Sequence, residues 1–179
     1  MSNQEPKSSG DFFYLAKQKI QENKLDEARL FAQRAIALSQ TEKNEPGRAM
    51  NLSLLGEIEA WSKHYESAFH YFDQAIIVFT TLGEIRDAGI TRHQYAKFRY
   101  ISGQIPEAGE LFLASAQSFE QINDQATLKL VVNSFDTFVR ELGENDAIYI
   151  TQNTLMGFIK LGSKGAREVL MNILNKMSK

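Results

Sequence analysis

Ala68-Phe69-His70-Tyr71-Phe72-Asp73-Gln74-Ala75-Ile76-Ile77-Val78-Phe79 is the stretch that decides the fold. Its residues Ala68, Tyr71, Phe72, Ala75 and Ile76 step as i, i+3, i+4, i+7 and i+8, which draws one apolar stripe along a helix. The same steps occur forty residues earlier (68 − 28 = 40) at Ala28, Phe31, Ala32, Ala35 and Ile36. They occur again forty residues later (108 − 68 = 40) at Ala108, Leu111, Phe112, Ser115 and Ala116. Phe79 and Phe119 extend the stripe in the second and third copies. A forty-residue period with helical texture means helical hairpins stacked on one another.

The flanking sequence repeats with the same period. Leu15-Ala16, Leu55-Gly56 and Tyr95-Ala96 each place a large residue before a small one on the preceding helix, where a small residue suits close contact between the two helices of a hairpin. The turns Asn23-Lys24-Leu25, Lys63-His64-Tyr65 and Gly103-Gln104-Ile105 align, and Pro106 falls in a first helical turn, where its missing N–H costs little. A fourth copy comes one residue early (147 − 108 = 39), with Ala147, Ile150, Thr151, Thr154, Leu155 and Phe158. Its first helix carries Phe135, Phe138, Val139 and Leu142, but has Asp136 where Gly56 and Ala96 are small. A final amphipathic stretch has Val169, Leu170, Ile173, Leu174 and Met177 on one face, as expected of a helix that covers the open end of a stack.

The expected architecture is all-α. A short disordered lead at 1–9 precedes four hairpins within 10–162 (10–40, 47–81, 86–121 and 125–161), and a capping helix follows at 164–178. The junctions between hairpins are short and polar and suggest no domain boundary. No β alternation persists, and no Asn-Gly or Asp-Gly hairpin signal is present.

Composition narrows the function. The 43% hydrophobic content is ample for a core, and a net charge of −2 offers no basic field for a nucleic-acid backbone. The absence of cysteine removes disulfides, thiolate nucleophiles and cysteine metal sites together. No run approaches the roughly 18 apolar residues of a membrane span. Met1 to Gly10 is polar and lacks the apolar core of a signal peptide, so the expected compartment is the cytoplasm. His64, His70 and His93 are the only histidines, and their spacing forms no metal motif. Leu161-Gly162-Ser163-Lys164-Gly165 lacks phosphate-loop spacing and reads as a turn between helices. No cofactor and no metal are expected.

Leu55-Gly56, Tyr65, Ala68, Phe72 and Ala75, repeated as Tyr95-Ala96, Ile105, Ala108 and Phe112, resemble the tetratricopeptide repeat (TPR). The first copy of the pattern is Leu15-Ala16, Leu25, Ala28 and Ala35. The period exceeds the usual thirty-four or so of that family. It is similar to the longer-helix branch seen in kinesin light chain, in G-protein-linked spindle adaptors and in bacterial peptide-sensing regulators. Thr81-Leu82-Gly83-Glu84 followed by Asp87-Ala88 is similar to the junction of that branch. The resemblance covers about 11–160. It implies a right-handed α-α superhelix whose first helices line a concave groove, with protein or peptide binding and no catalysis.

On that reading the groove positions are Phe13, Lys17 and Ile20; Ser53, Glu57 and Ala60; His93, Lys97 and Tyr100; and Asn133, Thr137 and Arg140. Each triple is spaced i, i+4, i+7 and shares one face. Met50 and Trp61 neighbour the second triple. Lys17, Lys97 and Arg140 would meet carboxylates, and Phe13, Trp61 and Tyr100 would anchor apolar groups. The alternative is that the cations are merely solvated and the aromatics belong to the hairpin cores. Phe13, Ser53 and Ile90 depart from the polar clamp of the family's chaperone-binding members, which argues against an acidic chaperone tail as ligand. Lys17, Glu57 and His93 have no spacing that marks a nucleophile or general base.

The expected function is a non-catalytic scaffold, adaptor or chaperone-like, that holds a protein or peptide segment. The alternative is a ligand- or peptide-sensing regulatory module. Phe12-Phe13-Tyr14 cannot all face one core, so at least one ring is expected to be partly exposed, which leaves room for a homodimer.

Overall fold

A computed structural model describes residues 7–161 and the isolated positions 171 and 175. The expected capping helix lies, but for those two positions, outside the described residues, as do residues 1–6 of the lead. The described residues form eight helices: α1 Ser9–Gln21, α2 Leu25–Thr41, α3 Glu45–Trp61, α4 Tyr65–Leu82, α5 Ile85–Ile101, α6 Ile105–Gln121, α7 Gln125–Arg140 and α8 Glu144–Leu161. No strand occurs among them. The fold is all-α.

The turns obey a period half that of the hairpins. Residues with left-handed backbone stand at Asn23, Lys43, Lys63, Gly83, Gly103 and Asn123, twenty apart at each step (43 − 23 = 20). At each of them two backbone bonds close the preceding helix, as in Asn23 N–H to the Ile20 carbonyl and Lys24 N–H to the Lys19 carbonyl. Lys63 with His64, and Gly103 with Gln104, repeat the pair. This is the Schellman closure, which satisfies carbonyls that a helix end leaves open. The following helix therefore starts two residues later each time. The last turn breaks the rule. Glu141 and Leu142 N–H groups bond to the Phe138 and Val139 carbonyls, and no left-handed residue appears there. Helix α8 starts 19 residues after α7 (144 − 125 = 19), which accounts for the early fourth copy.

The chain divides into two compact units, Met1–Asp87 and Ala88–Lys179. In the first, Ala16, Ala28, Ala32, Leu54, Leu55 and Ile58 form a buried cluster, with Phe13, Ile20 and Tyr71 against it. Gly56 is required where α3 meets α4. A Cβ there would lie 3.1 Å from both the Ala68 carbonyl oxygen and the Phe72 ring. The helix α1 start is held at Ser9 because Ser8 and Asp11 form a reciprocal capping box. The Ser9 N–H and hydroxyl also donate to Glu42, across from the end of α2. Glu59 of α3, 7% exposed, accepts from Arg29 of α2 and pairs with His64 at 2.8 Å. Burial by itself pushes the Glu59 carboxyl up, but Arg29 and His64 outweigh it and hold it below its ordinary value.

The second unit is built on rings. Ala96, Ala108, Phe112, Ala116, Phe119, Phe135, Phe138 and Val139 belong to one buried cluster. Phe112 lies 5.3 Å from Phe138 and 5.9 Å from Phe135, and the last two are 5.8 Å apart. Ala147, Ile150 and Thr151 of α8 are buried, as their stripe predicts, while Thr154, Leu155 and Phe158 lie outside the described side chains. Asp136 is turned along its own helix to Arg140, so the carboxylate does not enter the core.

Candidate partner-binding site

In the second unit, α5 and α7 flank a cleft with α6 beneath. Lys97, Tyr100 and Ile101 come from α5, Phe112 from α6, and Ser134, Thr137 and Phe138 from α7, with Glu141 at its C-cap. Its volume is about 300 Å³. The side chains converge because helical spacing aligns them. Lys97 and Ile101 are one turn apart on α5, and Ser134, Thr137, Phe138 and Glu141 follow i, i+3, i+4, i+7 along α7 and its C-cap.

The walls are aromatic and the rim carries both charges. Tyr100 meets Phe138 edge-on, with ring centres 5.0 Å apart. The Tyr100 hydroxyl donates to a Glu141 carboxylate oxygen at 2.6 Å. That bond, more than burial, raises the phenol's pKa and keeps it a donor. Lys97 is exposed and makes no ion pair among the described residues. His93, one turn before Lys97, is partly buried with its ring 5.7 Å from Phe112. Its Nε2 is buried and meets no hydrogen-bond partner among the described residues. Burial first, and the Lys97 charge second, push the His93 pKa below its ordinary value.

The remaining positions of the second unit differ in availability. Arg140 is exposed, but Asp136 holds its guanidinium at 2.9 Å, so it is a paired cation. Asn133 is exposed, and its carbonyl accepts from the Thr137 hydroxyl at 3.1 Å. The structure thus gathers Lys97, Tyr100 and Thr137 in one cleft. It leaves His93, Asn133 and Arg140 out of the lining.

In the first unit, Phe13 is partly buried against the core, with the Lys17 ammonium 5.5 Å from its ring centre. Phe12 is buried, while Tyr14 is 72% exposed and is the ring left outside. Met50 and Trp61 are exposed at 43% and 52%. Glu57 is partly buried, and Ser53 is buried at 8% with an interaction of its own. Ser53 therefore contributes to packing more than to an open surface.

Sequence reasoning missed Ile101, Ser134, Phe138 and Glu141 as lining residues, and treated Phe112 as core alone. The signal for Ile101 was present, because i+8 from His93 continues the face that i+7 reaches at Tyr100. Phe112 and Phe138 serve as both core and wall, which a stripe on a single helix does not reveal.

Solved structures of TPR-like repeats share this arrangement of helices. A point variant of a kinesin light chain from Podosopora anserina, with nearly identical TPR-like repeats, superposes with a TM-score of 0.64 at 14% identity. That match covers 94% of this chain and 84% of the other. A second structure of such repeats from the same kinesin light chain gives 0.52 at 16% identity, with 94% of each chain covered. The fold is that of TPR-like repeats. No protein-family model matches the sequence, and no curated protein does. The TPR-like chain has no described helix long and apolar enough to cross a membrane. Among its described residues no three His, Asp or Glu side chains are grouped to hold a metal ion.

Proposed function

We propose that this chain is a non-catalytic scaffold that holds a segment of a partner protein against the faces of its first-in-hairpin helices. The observation that carries the reading is the cleft at Lys97, Tyr100, Thr137 and Phe138, an open and mostly apolar recess whose rim cation, Lys97, meets no ion-pair partner among the described residues. Concave apolar recesses with a few placed polar groups are where proteins take ligands. A preformed surface on packed helices keeps the ordering cost of docking low. The TPR-like fold supports a protein as the ligand. Composition without cysteine, with ordinary charge, favours the cytoplasm as its compartment. A homodimer through the surface at Tyr14 is the competing use of the exposed apolar area.

The test is capture of partners from host cells with wild type and with Lys97→Glu. Lys97 is exposed, so the variant is expected to keep the wild-type helical signal and melting temperature. A protein captured by wild type and lost with the variant is the expected result. Equal capture by both would remove the cleft from the function. Capture of this chain alone would favour self-association.

A further inference from the structure

We propose that His64, in the turn between α3 and α4, is a phosphoryl acceptor: its Nε2 takes a phosphoryl group from a donor with a phosphorus–nitrogen bond while Glu59 holds Nδ1. The proposal stands apart from the α5–α7 cleft. The turn within a hairpin brings residues five apart together. Glu59 meets His64 here, as Arg99 meets Gln104 one period later. Of these turns it is the α3–α4 one that pairs a carboxylate with an imidazole, since the first copy has Lys19 and Lys24 at these places.

The pairing fixes which ring nitrogen is open. Burial pushes the Glu59 carboxyl up, but Arg29 and His64 outweigh it and hold it below its ordinary value, so it is ionised and can only accept. The 2.8 Å contact therefore puts a proton on Nδ1. The lone pair of the neutral ring then lies on Nε2, which has no hydrogen-bond partner among the described residues. The side chain is 62% exposed. His64 is also the N-cap of α4, where a side chain commonly turns back to bond the helix, yet its ring makes no such bond. The neighbouring hydroxyl is engaged, because Ser62 donates to the Ile58 carbonyl at 2.9 Å and accepts from Arg29 at 3.0 Å. The imidazole is thus the nucleophile of this cluster. Lys63 beside it is exposed and draws an anionic donor toward the turn.

In the transfer, the Nε2 lone pair forms the bond to phosphorus as the donor's phosphorus–nitrogen bond breaks, its electron pair leaving on the donor nitrogen. From phosphoramidate that nitrogen departs as ammonia. The ring gains a positive charge and keeps its Nδ1 proton, and the Glu59 carboxylate offsets that charge.

The other two histidines are internal controls. His70 is exposed, but its Nε2 accepts from the Gln74 side-chain amide at 2.9 Å. The His93 Nε2 is buried. The full chain is treated with potassium phosphoramidate at mildly alkaline pH. Mass spectrometry without acid locates the label, and phosphorus NMR tells Nε2 from Nδ1. His64 is expected to label at Nε2 at least about fivefold faster than His70, whose lone pair must first give up a hydrogen bond. Glu59→Gln removes the charge that offsets the imidazolium and should slow His64 about tenfold while leaving His70 unchanged. Should that variant not fold, the ratio of His64 to His70 in the wild type decides alone. Equal labelling of the two histidines, a phosphoryl group on Nδ1 of His64, or an unchanged rate in a folded Glu59→Gln would overturn the proposal and leave the scaffold reading untouched.

Discussion

The two units place different chemistry on one helical plan, and an offset of eighty residues lines them up (97 − 17 = 80). Lys17 matches Lys97, Ile20 matches Tyr100, Ala32 matches Phe112, and Ile58 matches Phe138. In the first unit, small and aliphatic side chains fill the last three of these positions, and Ala32 and Ile58 are fully buried. In the second, rings fill the last three, with Tyr100 edge-on to Phe138, and they flank a cleft. Arg29 and Glu59 form an ion pair in the first unit, whereas Gly109 and Val139 stand at the matching places in the second. Gly109 leaves room for Ile150, whose Cγ2 would lie 2.9 Å from a Cβ there. The lesson is that the backbone repeat tolerates either a polar or an aromatic solution, and that the aromatic one flanks a recess.

The sharpest way to break this contrast is Phe112→Ala, which installs the residue of the first unit. Phe112 is 3% exposed and supports three other rings, so the change should cost about 3–5 kcal/mol in urea unfolding. The reverse exchange, Ala32→Phe, overpacks a site with no exposure and should cost about 1–3 kcal/mol. A cost for Phe112→Ala well under about 1 kcal/mol would mean that the rings collapse freely, and the aromatic account of the second unit would fail.

A smaller effect tests the turns, where the units differ by one residue at the same step (103 − 63 = 40). Lys63 holds φ at 64° and Gly103 at 84°, both left-handed. A side chain strains that backbone by about 1–2 kcal/mol. Gly103→Ala should therefore lower stability by about 1 kcal/mol, and Lys63→Gly should raise it by somewhat less, since glycine also loosens the unfolded chain. Opposite signs in thermal melts confirm a shared turn, and equal signs would show that the two turns are not equivalent.

The smallest effect is acid sensitivity. His93 stands where the first unit has Phe13 (93 − 13 = 80). Burial and Lys97 hold its folded pKa below the ordinary imidazole value of 6.5. The unfolded chain therefore takes up the proton first, so this contribution to stability is complete above that value. It is lost as pH falls through the folded pKa. His93→Phe should lose less melting temperature between pH 7 and pH 5 than wild type does. An unchanged acid response would mean that His93 does not feel its surroundings in the way the geometry requires.

Much of the fold was legible because helix packing writes itself into sequence. The stripes through Ala28, Ala68 and Ala108, and the small residues at Ala16, Gly56 and Ala96, are what closely packed helices need. The twenty-residue rhythm of the turns was harder to see. Glycine advertises a left-handed turn at 83 and 103, but Lys43 and Lys63 do not, since lysine there is chosen against its own backbone preference. The lining of the α5–α7 cleft was legible in part. Lys97, Tyr100 and Thr137 follow from the period, and the pairing of Arg140 with Asp136 is a local i, i+4 relation that could have been read.

By itself, then, the sequence determined a stack of helical hairpins, their period, and the shortened fourth copy. Each of these depends on residues within a turn or two of one another, or on a pattern that repeats. Only the tertiary structure decided that Phe112 and Phe138 are wall as well as core, and that Glu141 is tied to Tyr100 from 41 residues away. Those facts depend on three separate helices meeting at defined distances, and no periodicity along a single helix encodes such a meeting.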